Sequence, residues 1–335
     1  MKESLIQRLE HILQVNAPRE NKGSWGYTPS AQNIFSAEGF DILLNDKKFH
    51  FKPVANPDLN EALKAFHSIL AEDSQSEHAY NLSEIISLDS TSKFYWKNRA
   101  AGQGHVLAQR YLGDCFYNSE GVSQDYVKAV KWYRKAAEQG NVKAQYYLGY
   151  CYYDPEGVSP DSTEAAKWFR KAAEQGNVEA QYYLGDCYYY GDGVSQDSAE
   201  AVKWYRKAAN LGNANAKNKL GDCYYYGKGV LQNYTEAAEF YLEAAILNNI
   251  DAQYSLGNCY YYARGVPQDY AKAIRWYRAS ANEGHVGSQY HLGICYYYGY
   301  GISKDYAKAL NCYIKAAKQG SVESKNILKD LGYSF

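Results

Sequence analysis

The sequence has no charge of one dominant sign, no long apolar run, and none of the spaced ligand or nucleophile patterns that mark an enzyme site. Its 36 Lys and Arg against 37 Asp and Glu leave a formal net charge of -1 over 335 residues. That balance gives no electrostatic reason to expect nucleic acid or an anionic membrane as partner. No run of about 18 apolar residues occurs, so no membrane span is expected. The opening MKESLIQRLEHILQ sets Leu5, Ile6, Leu9, Ile12 and Leu13 at helical spacing with charges between them. A signal peptide would need a continuous apolar core there. A cytoplasmic protein is the expectation; leaderless export into a host cell would leave no mark on such a sequence.

Chemistry-bearing motifs are equally scarce. The seven histidines (11, 50, 67, 78, 105, 285 and 291) form no H-E-x-x-H or similar spacing, and no C-x-x-C occurs. G-x-S-x-G, P-loop and dinucleotide fingerprints are missing. One S-x-x-K string, Ser90 to Lys93, lacks the S-D-N and K-T-G companions and reads as chance. No metal, cofactor or catalytic residue is therefore expected. Methionine occurs once, whereas tyrosine occurs 37 times.

The tyrosines belong to a repeat. Cysteines at 115, 151, 187, 223, 259 and 295 stand 36 residues apart. A Leu-Gly pair begins at 112, 148, 184, 220, 256 and 292, and a second glycine recurs at 121, 157, 193, 229, 265 and 301. Six units thus fill 104–319. Fixed self-similarity at this period indicates a stacked-repeat solenoid, in which one unit alone cannot bury its apolar face.

Each unit reads as two helices. In the third, Gly176 suits a left-handed helix end and Asn177 the next N-cap. Helix A is expected over Val178–Tyr190, GDGV as the turn, and helix B from an Asp197 cap to about Leu211. The stripe Ala180, Tyr183, Leu184, Cys187, Tyr188 has the spacing of a buried face, answered on helix B by Ala201, Val202, Trp204, Tyr205, Ala208 and Ala209. Glycine inside a helix costs about 1 kcal/mol against alanine. The regular glycine at 113, 149, 185, 221, 257 and 293 is therefore expected to allow close helix packing.

The units degenerate toward the ends. WKNRAAGQG (96–104) matches WYRKAAEQG (132–140), and AYNLSEII (79–86) resembles a helix A with a shortened turn after it. Residues 58–71 suit the second helix of a more diverged unit. Residues 320–335 begin another helix A with Leu328 in register, but Lys329 stands where the packing glycine would be, as a cap requires. The expected organisation is an N-terminal region 1–56, degenerate repeats 57–103, six repeats 104–319 and a capping helix 320–335. In the first region GFDILLNDKKFHFKPV suits a β-hairpin.

The string LGDCYYYGDGVSQDSAEAVKWYRKAANLGNANA resembles the Sel-one-like repeat (SLR) family, relatives of the tetratricopeptide repeat with a longer turn. The resemblance implies an all-α, right-handed superhelical solenoid of antiparallel helix pairs. It implies a non-enzymatic scaffold or adaptor in protein complexes, signalling adaptors and bacterial virulence factors being among the members. The alternative it offers is a β-lactam-binding or hydrolysing enzyme like the family's cysteine-rich bacterial branch. That branch staples each repeat with two cysteines, whereas this chain has one at the repeating position.

The cysteine ladder is expected to be buried packing. Equivalent positions in neighbouring helical repeats stand about 10 Å apart, and a disulfide needs Cα atoms within about 7 Å. Cys312 differs, since it occupies a position held by tryptophan in other units (132, 168, 204, 276). A cavity or a more accessible sulfur is expected there. His105 and His285 replace the N-cap asparagine, which suggests a local structural role. The charges Lys128, Lys131, Arg134, Lys135 and their counterparts are expected on a solvated convex face.

A helix cannot bury three consecutive tyrosines on one face, because each turns ~100° from the last. With Tyr188 in the core, a second helix A stripe remains. By analogy with tetratricopeptide repeats, it lines the concave surface. It comprises Tyr146, Tyr182, Tyr254 and Tyr290; then Asp114, Asp186, Asp222 and Asn258; then Tyr190, Tyr226, Tyr262 and Tyr298. A further row, Tyr117 to Tyr297, suits turn packing and ligand contact equally. The expected site is a tyrosine-rich, acid-dotted groove for a protein or peptide carrying basic residues among apolar anchors.

Overall fold

A computed structural model describes residues 40–44, 47–51, 90–154 and 158–333. Helix is the dominant element. The two strands among the described residues are β1 (Phe40–Leu44) and β2 (Lys47–Phe51), antiparallel with Phe40 opposite Phe51 and Leu44 opposite Lys47. This pair lies within the stretch expected to form a hairpin. The helices expected over 58–71 and 79–86 lie outside the described residues.

The chain divides into two compact units, residues 1–144 and 145–335. In the first, α1 (Ser90–Gly102) packs on α2 (Val106–Asn118), and α2 packs on α3 (Tyr126–Glu138). α4 (Val142–Tyr153) starts at the end of that unit. The second holds α5 (Ser162–Glu174), α6 (Val178–Tyr190), α7 (Ser198–Asn210), α8 (Ala214–Tyr226) and α9 (Tyr234–Ile246). It continues with α10 (Ile250–Tyr262), α11 (Tyr270–Asn282), α12 (Val286–Tyr298), α13 (Tyr306–Lys318) and α14 (Val322–Asp330). From α5 to α14 consecutive helices pack on one another, which is the solenoid arrangement.

The boundaries follow from local chemistry. Asn177 is extended and its side chain accepts from the Ala180 N–H at 2.7 Å. Asp197 accepts from both Ala199 and Glu200, so α7 begins at Ser198. His105 and His285 fill the asparagine role with Nδ1, accepting from Ala108 at 3.2 Å and Ser288 at 3.1 Å. Each such bond satisfies a donor that the helix itself leaves free. The turn glycine Gly193 has φ +71, and a Cβ on it would meet the Ser162 carbonyl of the preceding repeat at 1.9 Å. Only glycine serves both demands.

The helical glycines also have a specific partner. A Cβ on Gly185 would lie 2.6 Å from the ring of Tyr205, and the same relation joins Gly113 to Tyr133, Gly221 to Tyr241, Gly257 to Tyr277 and Gly293 to Tyr313. The helix B aromatic lies flat against bare helix A backbone. Burying each such ring is worth roughly 1.5–3 kcal/mol, more than the ~1 kcal/mol that the glycine costs the helix. Leu112, Leu148, Leu184, Leu220 and Leu256 and the six repeating cysteines complete the core. Leu328 of α14 is fully buried, while Lys329 is exposed at the glycine position.

The charges of helix B are not all solvated. Arg170 donates to the Tyr188 hydroxyl at 2.5 Å and Arg278 to Tyr296 at 3.0 Å, and Arg206 donates to Tyr224 in the same way. These arginines join one repeat to the next. Their long stems reach the following helix A, which inspection of helix B by itself could not show.

Candidate binding face

Each helix A presents the same set of positions within its own repeat. The position at 114, 186, 222 and 258, expected to dot a groove with acid, instead closes a seam within four of the six repeats. The Tyr205 hydroxyl donates to Asp186 at 2.6 Å, Tyr241 to Asp222 at 2.8 Å, Tyr277 to Asn258 at 2.8 Å and Tyr133 to Asp114 at 2.9 Å. Asp186 is only 5% exposed. Burial holds Asp114, Asp186 and Asp222 above the ordinary carboxylate value, although the tyrosine bonds pull the other way. These four residues turn to the core tyrosine because that hydroxyl, buried across the helix pair, needs an acceptor. In the second repeat Tyr150 replaces the acid, and its partner is Phe169, which has no hydroxyl to satisfy.

Tyr146, Tyr182, Tyr254 and Tyr290 are half-buried walls. Their ring centroids lie 6.2 Å from Phe169, 6.2 Å from Tyr205, 6.1 Å from Tyr277 and 6.2 Å from Tyr313. Burial raises the hydroxyl pKa of Tyr146, Tyr182 and Tyr290. The row ending each helix A stands differently. Tyr190, Tyr226, Tyr262 and Tyr298 are 53, 62, 51 and 54% exposed. Each meets its preceding tyrosine edge to face, with centroids 4.7–4.9 Å apart, which orients the ring at little entropic cost. The preceding tyrosines are held in turn, as Gln232 bridges the Tyr225 carbonyl to the Tyr234 hydroxyl and Gln268 repeats this at Tyr261 and Tyr270.

Cations that the sequence reading missed interleave with these rings. Lys219 donates to the Tyr190 hydroxyl at 3.0 Å, Lys228 lies 5.0 Å from the Tyr189 ring, and Arg264 donates to the Tyr225 hydroxyl. The signal was a break in the repeat. Helix α8 reads KNK at 217–219 where α6 reads QYY. Lys217 compensates for its own change by pairing with Glu243, which stands where α7 has Lys207.

That break also opens a cavity of about 370 Å³ beside α8, α10 and α12, reached by Tyr182, Asn218, Lys219, Asp222, Asp251, Tyr254, Ser255 and His285. Its walls combine two of the expected tyrosines and one expected aspartate with seven residues that were not expected to form a site, Asn215 and Asn249 among them. Burial lowers the His285 pKa against the opposing pull of Asp251, leaving the imidazole neutral at pH 7.

All seven cysteines are free thiols, the six repeating ones buried and Cys312 partly so. Burial pushes Cys115 up to about 11 and the other five repeating thiols up to about 12. At neutral pH they are protonated packing groups. Among the described residues, no three His, Cys, Asp or Glu side chains converge to hold a metal ion. No helix among them is long and apolar enough to cross a membrane.

A family model described as the Sel1 repeat matches six consecutive segments, 106–141, 142–177, 178–213, 214–249, 250–285 and 286–321. A protective antigen present in uropathogenic Escherichia coli strains, with an SLR fold, is 37% identical with a TM-score of 0.70 over 82% of this chain. This chain spans 59% of that antigen's length. A Sel1 repeat protein from Oxalobacter formigenes is 30% identical with a TM-score of 0.69, covering 82% of this chain and 80% of its own. No curated protein matches the chain. Proteins of this repeat class are generally non-enzymatic scaffolds for protein interaction. With 36-residue units from Val106 to Ser321, each a capped helix pair closed by a glycine–aromatic contact, the chain belongs to the Sel1 repeat family.

Proposed function

We propose that the chain is a non-enzymatic scaffold that holds a protein or peptide segment along the helix A face, with its exposed tyrosines as anchors. The carrying observation is the row Tyr190, Tyr226, Tyr262 and Tyr298, each more than half exposed yet held by an edge-to-face neighbour. Core packing does not need these rings, since Asn118 and Asp154 occupy the same position in the first two repeats. Tyrosine offers a large rigid surface with a polar tip and is enriched among interface residues that dominate affinity. The expected acid row is largely occupied by core tyrosines, so the anchoring is aromatic rather than acidic.

The test is affinity capture with the full chain and a Tyr190→Ala, Tyr226→Ala, Tyr262→Ala, Tyr298→Ala variant. The variant is expected to keep its melting behaviour and lose the partners that the wild type retains. Equal recovery by both proteins would remove the tyrosine face from consideration. Direct titration of a recovered partner should show roughly tenfold or greater loss for the two central tyrosines.

A further inference from the structure

The repeat pattern fails at two neighbouring positions, and the failure creates the cavity. Position 218 is Asn where α6, α10 and α12 carry Tyr182, Tyr254 and Tyr290. Position 255 is Ser where α4 and α6 carry Tyr147 and Tyr183. Two rings are thereby absent from α8 and α10, the first helices of successive repeats, and about 370 Å³ opens between the remaining side chains. That is within the range of ligand clefts, ~300–1,000 Å³.

The chemistry of the walls is uneven. Asn218 is only 8% exposed, and among the described residues no donor reaches its Oδ1. A buried acceptor left without a donor is costly, and its unpaired oxygen adds to the negative potential at the cavity wall. The Asp251 carboxylate stands at the same cavity, 74% exposed and 3.7 Å from His285 Nε2. Asp222 gives one oxygen to Tyr241. Lys219 is the opposing charge, but its ammonium is engaged with the Tyr190 hydroxyl and attracted by Asp186 and Asp222. His285 Nδ1 accepts from a backbone N–H, which makes Nε2 the protonated nitrogen facing Asp251. Two carboxylates, Asp222 and Asp251, thus face this cavity against one engaged ammonium, Lys219.

We infer that the cavity is a pocket for a guanidinium side chain, an arginine of the segment held along the tyrosine face. Arginine suits it better than lysine. A planar fork with five donors can grip the exposed Asp251 carboxylate at two points, and its flat face can lie on Tyr254. The inference rests on the scaffold reading for the origin of the arginine, and on the cavity alone for its chemistry.

The test uses N-acetyl-arginine amide titrated into the full chain and followed by NMR at the asparagine side-chain amides, with the citrulline and glutamate analogues in parallel. The arginine compound is expected to give saturable shifts at Asn218, and the uncharged citrulline isostere to bind about tenfold more weakly. Ser255→Tyr, which restores the repeat residue and fills the space, should abolish the shifts. Asp251→Asn, a change at an exposed position that leaves packing intact, should weaken binding about tenfold. The pocket is overturned by an absence of saturable shifts, by equal binding of the glutamate analogue, or by undiminished binding to both variants. The two readings fail separately. Partner capture that ignores the exposed tyrosines would sink the scaffold face, whereas only the arginine titration speaks for or against the pocket.

Discussion

The Tyr205 hydroxyl donates to the Asp186 carboxylate at 2.6 Å while the same ring lies against the bare Cα of Gly185. One side chain therefore fixes both the spacing and the register of the two helices of a repeat. Removing only the hydroxyl, with Tyr205→Phe, would leave Asp186 buried without that donor. The expected loss is about 1.5–3 kcal/mol, the range for bonds to charged groups. Urea unfolding with hydrogen exchange across α6 and α7 measures it. Asp186→Asn should cost less, because Asn258 already accepts from Tyr277 at 2.8 Å.

The same carboxylates give the protein a specific pH response. Burial raises Asp186 and Asp222 above the ordinary value of 3.8, so the folded state binds protons more readily than the unfolded chain. Their contribution to stability is greatest below 3.8 and is lost as pH rises through the raised folded values. Relative to an Asp186→Asn, Asp222→Asn variant, the wild type should gain stability on acidification from neutral pH toward 3.8. Urea midpoints of the two proteins across that interval test this, and a wild type that loses ground to the variant would contradict it.

Glycine at 185 should be irreplaceable for steric reasons. A Cβ there would meet the Tyr205 ring at 2.6 Å. Gly185→Ala is expected to destabilise by about 1–3 kcal/mol despite the better helix propensity of alanine. Gly102→Ala is the control. Nothing lies within 4 Å of the added carbon at Gly102, so that change should be neutral or stabilise by up to about 1 kcal/mol.

One repeat can be improved by copying another. Gln175 Nε2 donates to Gln145 Oε1 at 2.7 Å, and Gln319 to Gln289 at 2.9 Å. The corresponding partner of Gln181 is Leu211, and among the described residues no donor reaches Gln181 Oε1. Leu211 is 58% exposed, so its replacement removes little packing. Leu211→Gln should stabilise by about 0.5–1.5 kcal/mol, read from the shift in unfolding midpoint.

Thiol labelling should separate Cys312 from the ladder. It is partly buried, whereas the six repeating cysteines are fully buried. Labelling of the folded protein by a neutral disulfide reagent is expected to stop at one thiol, and Cys312→Ser should abolish it. Rapid labelling of several thiols in the native state would contradict the packing of the core.

The elements readable from sequence are those held by short-range bonds. Helix α6 spans the expected residues because Asn177, Gly176 and Gly191 mark its ends within a few positions of the groups they satisfy. The need for a small residue at 185 was also legible, since glycine in a helix is costly without a reason. Its partner was not. Tyr205 lies 20 positions further on, and a helical periodicity describes one helix at a time. Asp186 was assigned to the wrong surroundings for the same reason, as its neighbour Tyr205 approaches from the opposing helix.

The sequence by itself determined the unit, its caps, its turn glycines and the stacking of one unit on the next, because a 36-residue period repeats every local instruction. Tertiary structure decided what each tyrosine does. A run such as Tyr188, Tyr189, Tyr190 places three chemically identical rings in sequence. One accepts from Arg170, one packs at the turn and one remains exposed, because each faces a different helix. It also decided that a local departure from the period, Asn218 with Ser255, becomes a cavity. Two missing rings make a shared space only when the solenoid brings their helices together.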